Sequence, residues 1–449
     1  MKSLIAALLA LALLDVTPPI SRHPDYGVVT SIQFLEGPTL QRLKDVTVGS
    51  VRIGIDWDII EPVQGRFDLG DPRVNFWVDQ AHAAGLHVFA TLGGPPAWAA
   101  PCSSCMPYSL WDWYAYVHHV IARFAYLGND ITFGVWNEPN LTKFLFPSSP
   151  DLYGDLFDYA NLARLDANPS ARLAGPETEV GAEASGFFAA ALARLQPDLR
   201  PQDVITVHWY PGTRSPELLG YMQRILARVG TREVWLSETG EKNPDDALQR
   251  TRLQAIVDTF NRRPWTQWSK IFIYRLYGDD PFDEDVAFGL LRPDLSIRPA
   301  FDGYRAVMHR IFTVSVQAAN GHYLRPAPEA GGIVRASSDA AGTAETFQIY
   351  DFNGGALQSG DVIRIQATDG TYLRVAGRNR PLLATDTCGC TDDGVFVVAS
   401  TGAVGTGGPF TLKSYATGQY ASLDGGRAAD ILVNRGSAGP RETFTVTVQ

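Results

Sequence analysis

At 449 residues the chain is too long for one ordinary domain and comfortable for two. Its 38 basic and 48 acidic residues leave a net charge of −10 with no basic cluster, which excludes nucleic acid and anionic membrane surfaces as partners. Hydrophobic residues make up 45%, the proportion of a globular protein, and ten Trp with seventeen Tyr fill a core and leave rings over.

The first 22 residues are set apart. Met1-Lys2-Ser3 precedes an apolar run from Leu4 to Leu14, the basic tip and short hydrophobic stretch of a secretory signal. The run is too short to span a bilayer comfortably. Ala10-Leu11-Ala12, the one small-x-small site, lies inside the run, so an uncleaved N-terminal anchor stands as the alternative. Either way a secreted or periplasmic protein is expected, with no other membrane segment. Four cysteines form two local pairs, Cys102/Cys105 and Cys388/Cys390, which suits an exported chain. Cys102 and Cys105 can close a tight disulfide loop. A four-thiolate zinc site drawing on both pairs is the competing reading. The pairs sit in different expected domains and lack nearby histidine, so no metal or other cofactor is expected.

Residues 23–312 alternate strand-like and helix-like runs. The strands are expected at Val28–Phe34, Ser50–Trp57, His87–Gly93, Ile131–Trp136, Ala171–Pro176, Asp203–Tyr210, Glu233–Ser237 and Lys270–Tyr277. Between them lie amphipathic stretches such as Tyr114–Phe124 and Leu218–Val229, with apolar residues at three-and-four spacing. Eight such units imply an α/β fold, a closed (β/α)8 TIM barrel. A doubly wound open sheet would need a glycine-rich phosphate turn after an early strand, and none is present.

Residues 313–449 change to short strands and glycine-rich turns. Gly321-His322-Tyr323-Leu324, Gly370-Thr371-Tyr372-Leu373 and Gly418-Gln419-Tyr420-Ala421 align at steps of 49 and 48 residues, and Phe347, Phe396 and Phe444 repeat at the same steps. Three copies of a β unit that cannot bury its own apolar face predict an all-β pseudo-threefold domain, a β-trefoil. The repeated Gly, Tyr and Phe read as turn and core residues. Carbohydrate binding by this domain is suggested only by its attachment to the barrel.

Two carboxylates stand at expected strand ends of the barrel, where such folds place their chemistry. Glu138 closes Trp136-Asn137-Glu138-Pro139-Asn140 after the fourth strand, and Glu238 closes Trp235-Leu236-Ser237-Glu238 on the seventh. Alone, a strand-end Glu is more often a cap or a salt-bridge partner. Two of them meeting across a pocket are the equipment for cleaving a glycosidic bond. Trp57, Trp98, Trp209 and Tyr277, at or just beyond strand ends, are the rings expected to pack on sugar C–H faces. The loop run Glu61-Pro62 can equally be a structural brace.

The barrel resembles clan A glycoside hydrolases. Asn137-Glu138-Pro139 on strand four, Glu238 on strand seven, Val51-Arg52-Ile53-Gly54 on strand two and His208-Trp209-Tyr210 on strand six carry the likeness. Family 39 is the nearest pattern, with family 5 close behind. The resemblance implies a retaining enzyme acting on β-glycosidic bonds of a plant or microbial polysaccharide or oligosaccharide, without a cofactor and as a monomer. It also implies that Glu238 is the nucleophile, held ionised by Arg52 and Tyr210, that Glu138 is the acid/base beside His208, and that Asn137 donates to the sugar 2-hydroxyl. Strand eight, Ile271 to Tyr277, departs from the clan pattern in lacking a Trp, and the C-terminal domain resembles fascin-like trefoils. A non-catalytic carbohydrate-binding protein is the alternative function; a Schiff-base aldolase is disfavoured, since no lysine but the loop residue Lys242 stands near the catalytic face.

Overall fold

The computed structural model describes residues 23–31, 37–68, 72–212, 217–263, 265, 267–277, 287–353, 357–386, 392–400, 406–424 and 429–448. The export-like segment and the pair Cys388/Cys390 lie outside them. The chain divides into two compact units, Pro24–Val307 and a second that contains Met308–Gln449. The expected boundary at residue 312 falls inside the strand Arg310–Gln317, which pairs with Thr346–Asp351 and Phe444–Val448 and so belongs to the second unit.

The first unit is a closed parallel barrel of β1 (His23–Val29), β2 (Val48–Asp56), β3 (His87–Gly93), β4 (Ile131–Val135), β5 (Arg172–Thr178), β6 (Val204–His208), β7 (Val234–Thr239) and β8 (Trp268–Ile273). Tyr26 pairing with Ile271 closes the ring. Its strands are buried along nearly their whole length, as a parallel sheet wrapped by helices requires. The helix Leu218–Val229 shows how the outer layer forms. Leu218, Tyr221, Met222, Ile225 and Val229 make one buried stripe. The Glu217 side chain accepts hydrogen bonds from the first-turn N–H groups of Leu219 and Gly220, and Gly230 at φ 67° ends the helix where a side chain would be strained. Each large apolar residue buried this way stabilises the fold by about 1.5–3 kcal/mol.

Inside the ring, Phe89, Trp235 and Phe272 fill the lower layers with centroids 5.3–5.9 Å apart. Gly27 leaves room for this plug, since a Cβ there would lie 2.4 Å from the Phe272 ring. The side chains of the site stand at the strand ends above this plug, whereas at the opposite ends Arg172 pairs with Glu233 and Lys270 donates to Ser50.

All eight expected strands are present, with shifted ends. β1 begins at His23, five residues early, because Pro24 and Asp25 read as poor strand residues. β5 continues past Pro176 to Thr178, and β8 stops at Ile273 rather than at Tyr277.

The second unit is all antiparallel. Strands β9 (Arg310–Gln317), β12 (Thr346–Asp351), β13 (Val362–Ala367), β16 (Phe396–Ser400), β17 (Thr406–Ser414) and β20 (Phe444–Val448) pair in a ring. Hairpins β10 (Tyr323–Ala327) with β11 (Ile333–Ser338), β14 (Tyr372–Val375) with β15 (Arg380–Asp386), and β18 (Tyr420–Leu423) with β19 (Ile431–Arg435) complete three equivalent sets. Each hairpin has a register shift just after its repeat tyrosine, Tyr323, Tyr372 or Tyr420. Gly321, Gly370 and Gly418 take φ of 83°, 88° and 68°, which is why the repeat keeps glycine there. Phe347, Phe396 and Phe444 are buried in one core. No helix among the described residues is long and apolar enough to cross a membrane.

Candidate active site

Five strand ends converge above the aromatic plug. Arg52 comes from β2, Asn137 and Glu138 from the turn after β4, Glu177 from β5, His208 from β6 and Glu238 from β7. The chain is bent to present them. Trp136, Glu138 and Glu177 have φ of 65°, 41° and 44°, three of the seven described non-glycine residues with positive φ. Backbone strain of this kind costs on the order of 1–3 kcal/mol per residue and gathers where geometry is imposed for function. Register shifts between Pro176 and Thr178, and between Val207 and His208, re-aim side chains at the same level. The Trp136 indole, donating to the Phe144 carbonyl at 2.6 Å, pins the loop that follows Glu138.

Glu238 is 9% exposed and Glu138 6%, while His208 is fully buried between them. A carboxylate oxygen of each glutamate and a ring nitrogen of His208 all lie within 4.8 Å of one another. His208 Nδ1 is 2.9 Å from Glu138 Oε1 and 3.8 Å from Glu238 Oε2. Glu238 Oε1 accepts from the Tyr210 hydroxyl at 2.5 Å, and its Oε2 from Arg52 Nη1 at 2.7 Å.

The charges follow from this packing. Burial pulls the His208 imidazole down, but the Glu238 charge, then the contacts with Glu138 and Glu177, overcome it and push its pKa up to about 9. His208 is thus an imidazolium at neutral pH, donating Nδ1–H to Glu138. Burial pushes the Glu238 carboxyl up, but the imidazolium, the Arg52 guanidinium and the Tyr210 hydroxyl hold it below the ordinary carboxylate value. Tyr210, raised by burial and then by the Glu238 charge, stays a donor. Among the described residues Glu138, His208 and Glu238 are the one set close enough to hold a cation. Each of the three is already engaged by the protein, Glu138 by His208 and Glu238 by Arg52 and Tyr210.

The structure adds a third carboxylate that the sequence reading missed. Glu177, 0% exposed, accepts from Arg52 Nη2 at 2.6 Å and Nε at 3.1 Å, and from the Thr91 hydroxyl at 3.3 Å. Its signal was present in Gly175-Pro176-Glu177, but ending the strand at Pro176 left the acid outside it. Arg52 therefore pairs with Glu177 as well as with the expected Glu238.

An open cavity of about 1120 Å³ is lined by Glu138, Glu238, Trp209, Tyr210, Tyr274 and Phe288, among others. A second of about 590 Å³, sharing Glu238, Lys143, Phe144 and Tyr274, contains Arg52, Asn137 and Asp56. Of the four rings expected to touch substrate, Trp209 lines the cleft. Trp57 does not: it starts the short helix Trp57–Ile60, is 0% exposed, donates to Glu61 Oε2 at 2.8 Å and stacks on Tyr116. Trp98 packs edge-on against Trp57 and donates to the Glu61 carbonyl, and it lines neither cavity. Glu61 is a brace, as its Gly65 contact also shows. Tyr277 donates to the Pro293 carbonyl at 3.0 Å and lines neither cavity; with β8 ending at Ile273, the ring just beyond the strand is Tyr274. Cys102 and Cys105 are disulfide-bonded, with Cα atoms 5.0 Å apart, which removes two of the four thiolates a zinc site would need.

No protein-family model and no curated protein matches the sequence. Solved structures share its fold. A family 39 glycoside hydrolase from the gut symbiont Bacteroides cellulosilyticus WH2 superposes with TM-score 0.54 at 17% identity, over 96% of this chain and 82% of that one. A monomeric β-xylosidase from Caulobacter crescentus CB15 gives TM-score 0.53 at 17% identity, over 78% of this chain and 74% of that one. A glucosidase from Croceicoccus marinus gives 0.54 at 18%, over 77% and 74%. At such identities the likeness speaks for the barrel fold.

Proposed function

We propose that the chain is a retaining glycoside hydrolase that cleaves β-glycosidic bonds of a plant or microbial polysaccharide or oligosaccharide. One observation carries this reading: Glu238, held ionised, faces Glu138, paired with a proton-bearing histidine, with carboxylate oxygens within 4.8 Å. Two carboxyl groups about 5–5.5 Å apart leave no room for a water between them, which favours attack by one of them on the anomeric carbon. In the first step a Glu238 oxygen bonds to that carbon while the Glu138–His208 pair releases its proton to the leaving oxygen through Glu138. In the second, Glu138 takes a proton from water as that water displaces Glu238. The shared fold of known glycosidases supports the same reading. Proton NMR of the first-formed product from an aryl β-glycoside tests it. The β-anomer is expected, and an initially formed α-anomer would sink the double displacement.

The second unit we read as a β-trefoil that assists polymer binding, supported by its threefold repeat and by the placement of both carboxylates at the ends of barrel strands. Ending the chain at Val307 is expected to leave turnover of small aryl glycosides comparable and to weaken action on polymer alone. Loss of small-substrate turnover by a folded truncated barrel would refute this separation. Export to the periplasm or medium, as a monomer, is supported by the signal-like start, by the Cys102–Cys105 bond and by the monomeric β-xylosidase of like fold. Mass spectrometry of the exported protein should show loss of an N-terminal segment.

A further inference from the structure

Glu177 is buried deeper than either catalytic glutamate and touches neither cavity. The fold is shaped to admit it. A Cβ at Gly134 on β4 would lie 2.0 Å from Glu177 Oε1, so only glycine leaves the carboxylate its place. The Glu177 N–H donates to the Thr206 hydroxyl at 3.2 Å, and its carbonyl accepts from the Glu138 N–H at 3.1 Å. Both ends of the residue are thus fixed.

What it holds is the Arg52 fork. Glu177 takes Nε and Nη2, which fixes the guanidinium plane. Nη1 then meets Glu238 at 2.7 Å, and Nη2 also meets Asn137 Oδ1 at 2.8 Å. Arginine only donates, so Asn137 must present its oxygen to Arg52 and keep its NH2 group to donate elsewhere. Asn137 lines the smaller cavity beside Glu238, where a sugar hydroxyl next to the anomeric carbon would sit.

We infer that Glu177 is a positioning residue which, through Arg52, orients the nucleophile Glu238 and the amide of Asn137 together, and so tunes the site to glycosides carrying a free 2-hydroxyl. The inference rests on the glycosidase reading of the same site. The carboxylate also balances the guanidinium. Without it, Arg52 would put its whole charge on Glu238 and blunt the nucleophile.

The test is Glu177→Gln, which keeps the shape and removes the second acceptor charge. Its kcat/KM is measured on the 4-nitrophenyl β-glycoside that turns over fastest and on the 2-deoxy counterpart. Misplacing a reacting group by about 1 Å costs on the order of 10²-fold, and a loss of that order is expected with the 2-hydroxy substrate. With the 2-deoxy substrate, which never had the Asn137 contact, the loss should be several-fold smaller. Equal losses on both would overturn the coupling through Asn137. If Glu177→Gln does not fold, Thr91→Val, which loosens the same carboxylate, should give the same substrate-selective pattern at smaller size, and a uniform loss would overturn the inference. A readout free of turnover is NMR of the Arg52 Nη protons. Restrained rotation in the wild type should become averaged in the variant, and unchanged restraint would overturn the positioning role. Failure of the wild type to hydrolyse any glycoside would instead remove the glycosidase reading, leaving the Arg52 signal to decide on Glu177.

Discussion

Glu238→Gln is expected to lower kcat by at least about 10³-fold while the barrel stays folded. The side chain keeps its size but can no longer bond to the anomeric carbon as a carboxylate. Folding survives because Arg52 does not lose its last partner: two of its nitrogens still donate to Glu177. Glu138→Gln should cost a comparable factor by a different route, since it leaves His208 without a carboxyl through which to pass the proton. The two are told apart by azide. With a small side chain at 238, azide should enter from the nucleophile's side and give the α-glycosyl azide; at 138 it should attack the glycosyl-enzyme and give the β-anomer. Steady-state kinetics, circular dichroism and the anomer of the azide product check all three points. Reversed anomers would exchange the roles of the two glutamates.

The second large effect is on pH. Glu238 must be ionised, so activity should fall on the acid side as pH drops through its depressed pKa. The Glu138–His208 pair must hold a proton, so activity should persist through neutrality and fall as pH rises through about 9. Stability should follow the same group. A histidine raised from its ordinary value of 6.5 to about 9 contributes stability that is fully present below 6.5 and is lost as pH climbs through 9. The melting temperature of the wild type should therefore decline between pH 7 and 10 more steeply than that of His208→Gln, in which this slope is absent. A wild-type alkaline limb near 6.5 would mean that His208 titrates as a free imidazole, and the shared-proton scheme would fail.

Glu138 and Glu238 were legible because a short strand followed by a motif locates a residue to within one position, and both acids sit on such boundaries. Trp209 and Tyr210 were legible for the same reason. Glu177 was not, because Gly175-Pro176 reads as a strand terminator, whereas the strand runs on and a register shift at Pro176/Thr178 turns the next side chain inward. Trp57 fails in the opposite way: its place just past β2 suggested the cleft, but a four-residue helix folds the indole under Glu61. Tyr274 was passed over for Tyr277 because the apolar run of strand eight continues beyond its last barrel pairing. In the second unit, the spacing of Gly, Tyr and Phe revealed three equivalent parts. The single ring of six strands needs tertiary pairing to be seen.

Arg52 reaches across 125 residues to Glu177 and across 186 to Glu238. A chain emerging from the ribosome carries Arg52 on β2 and Glu177 on β5 before it carries Glu238 on β7. Glu238 acquires its hydrogen bond from Arg52 only when β7 joins the sheet, one strand before the ring closes. Because these pairings are long-range, recovery of activity after dilution from denaturant is expected to lag the early gain of helix. A chain cut before residue 238 would lack both the carboxylate that faces Glu138 and the charge that does most to hold a proton on His208.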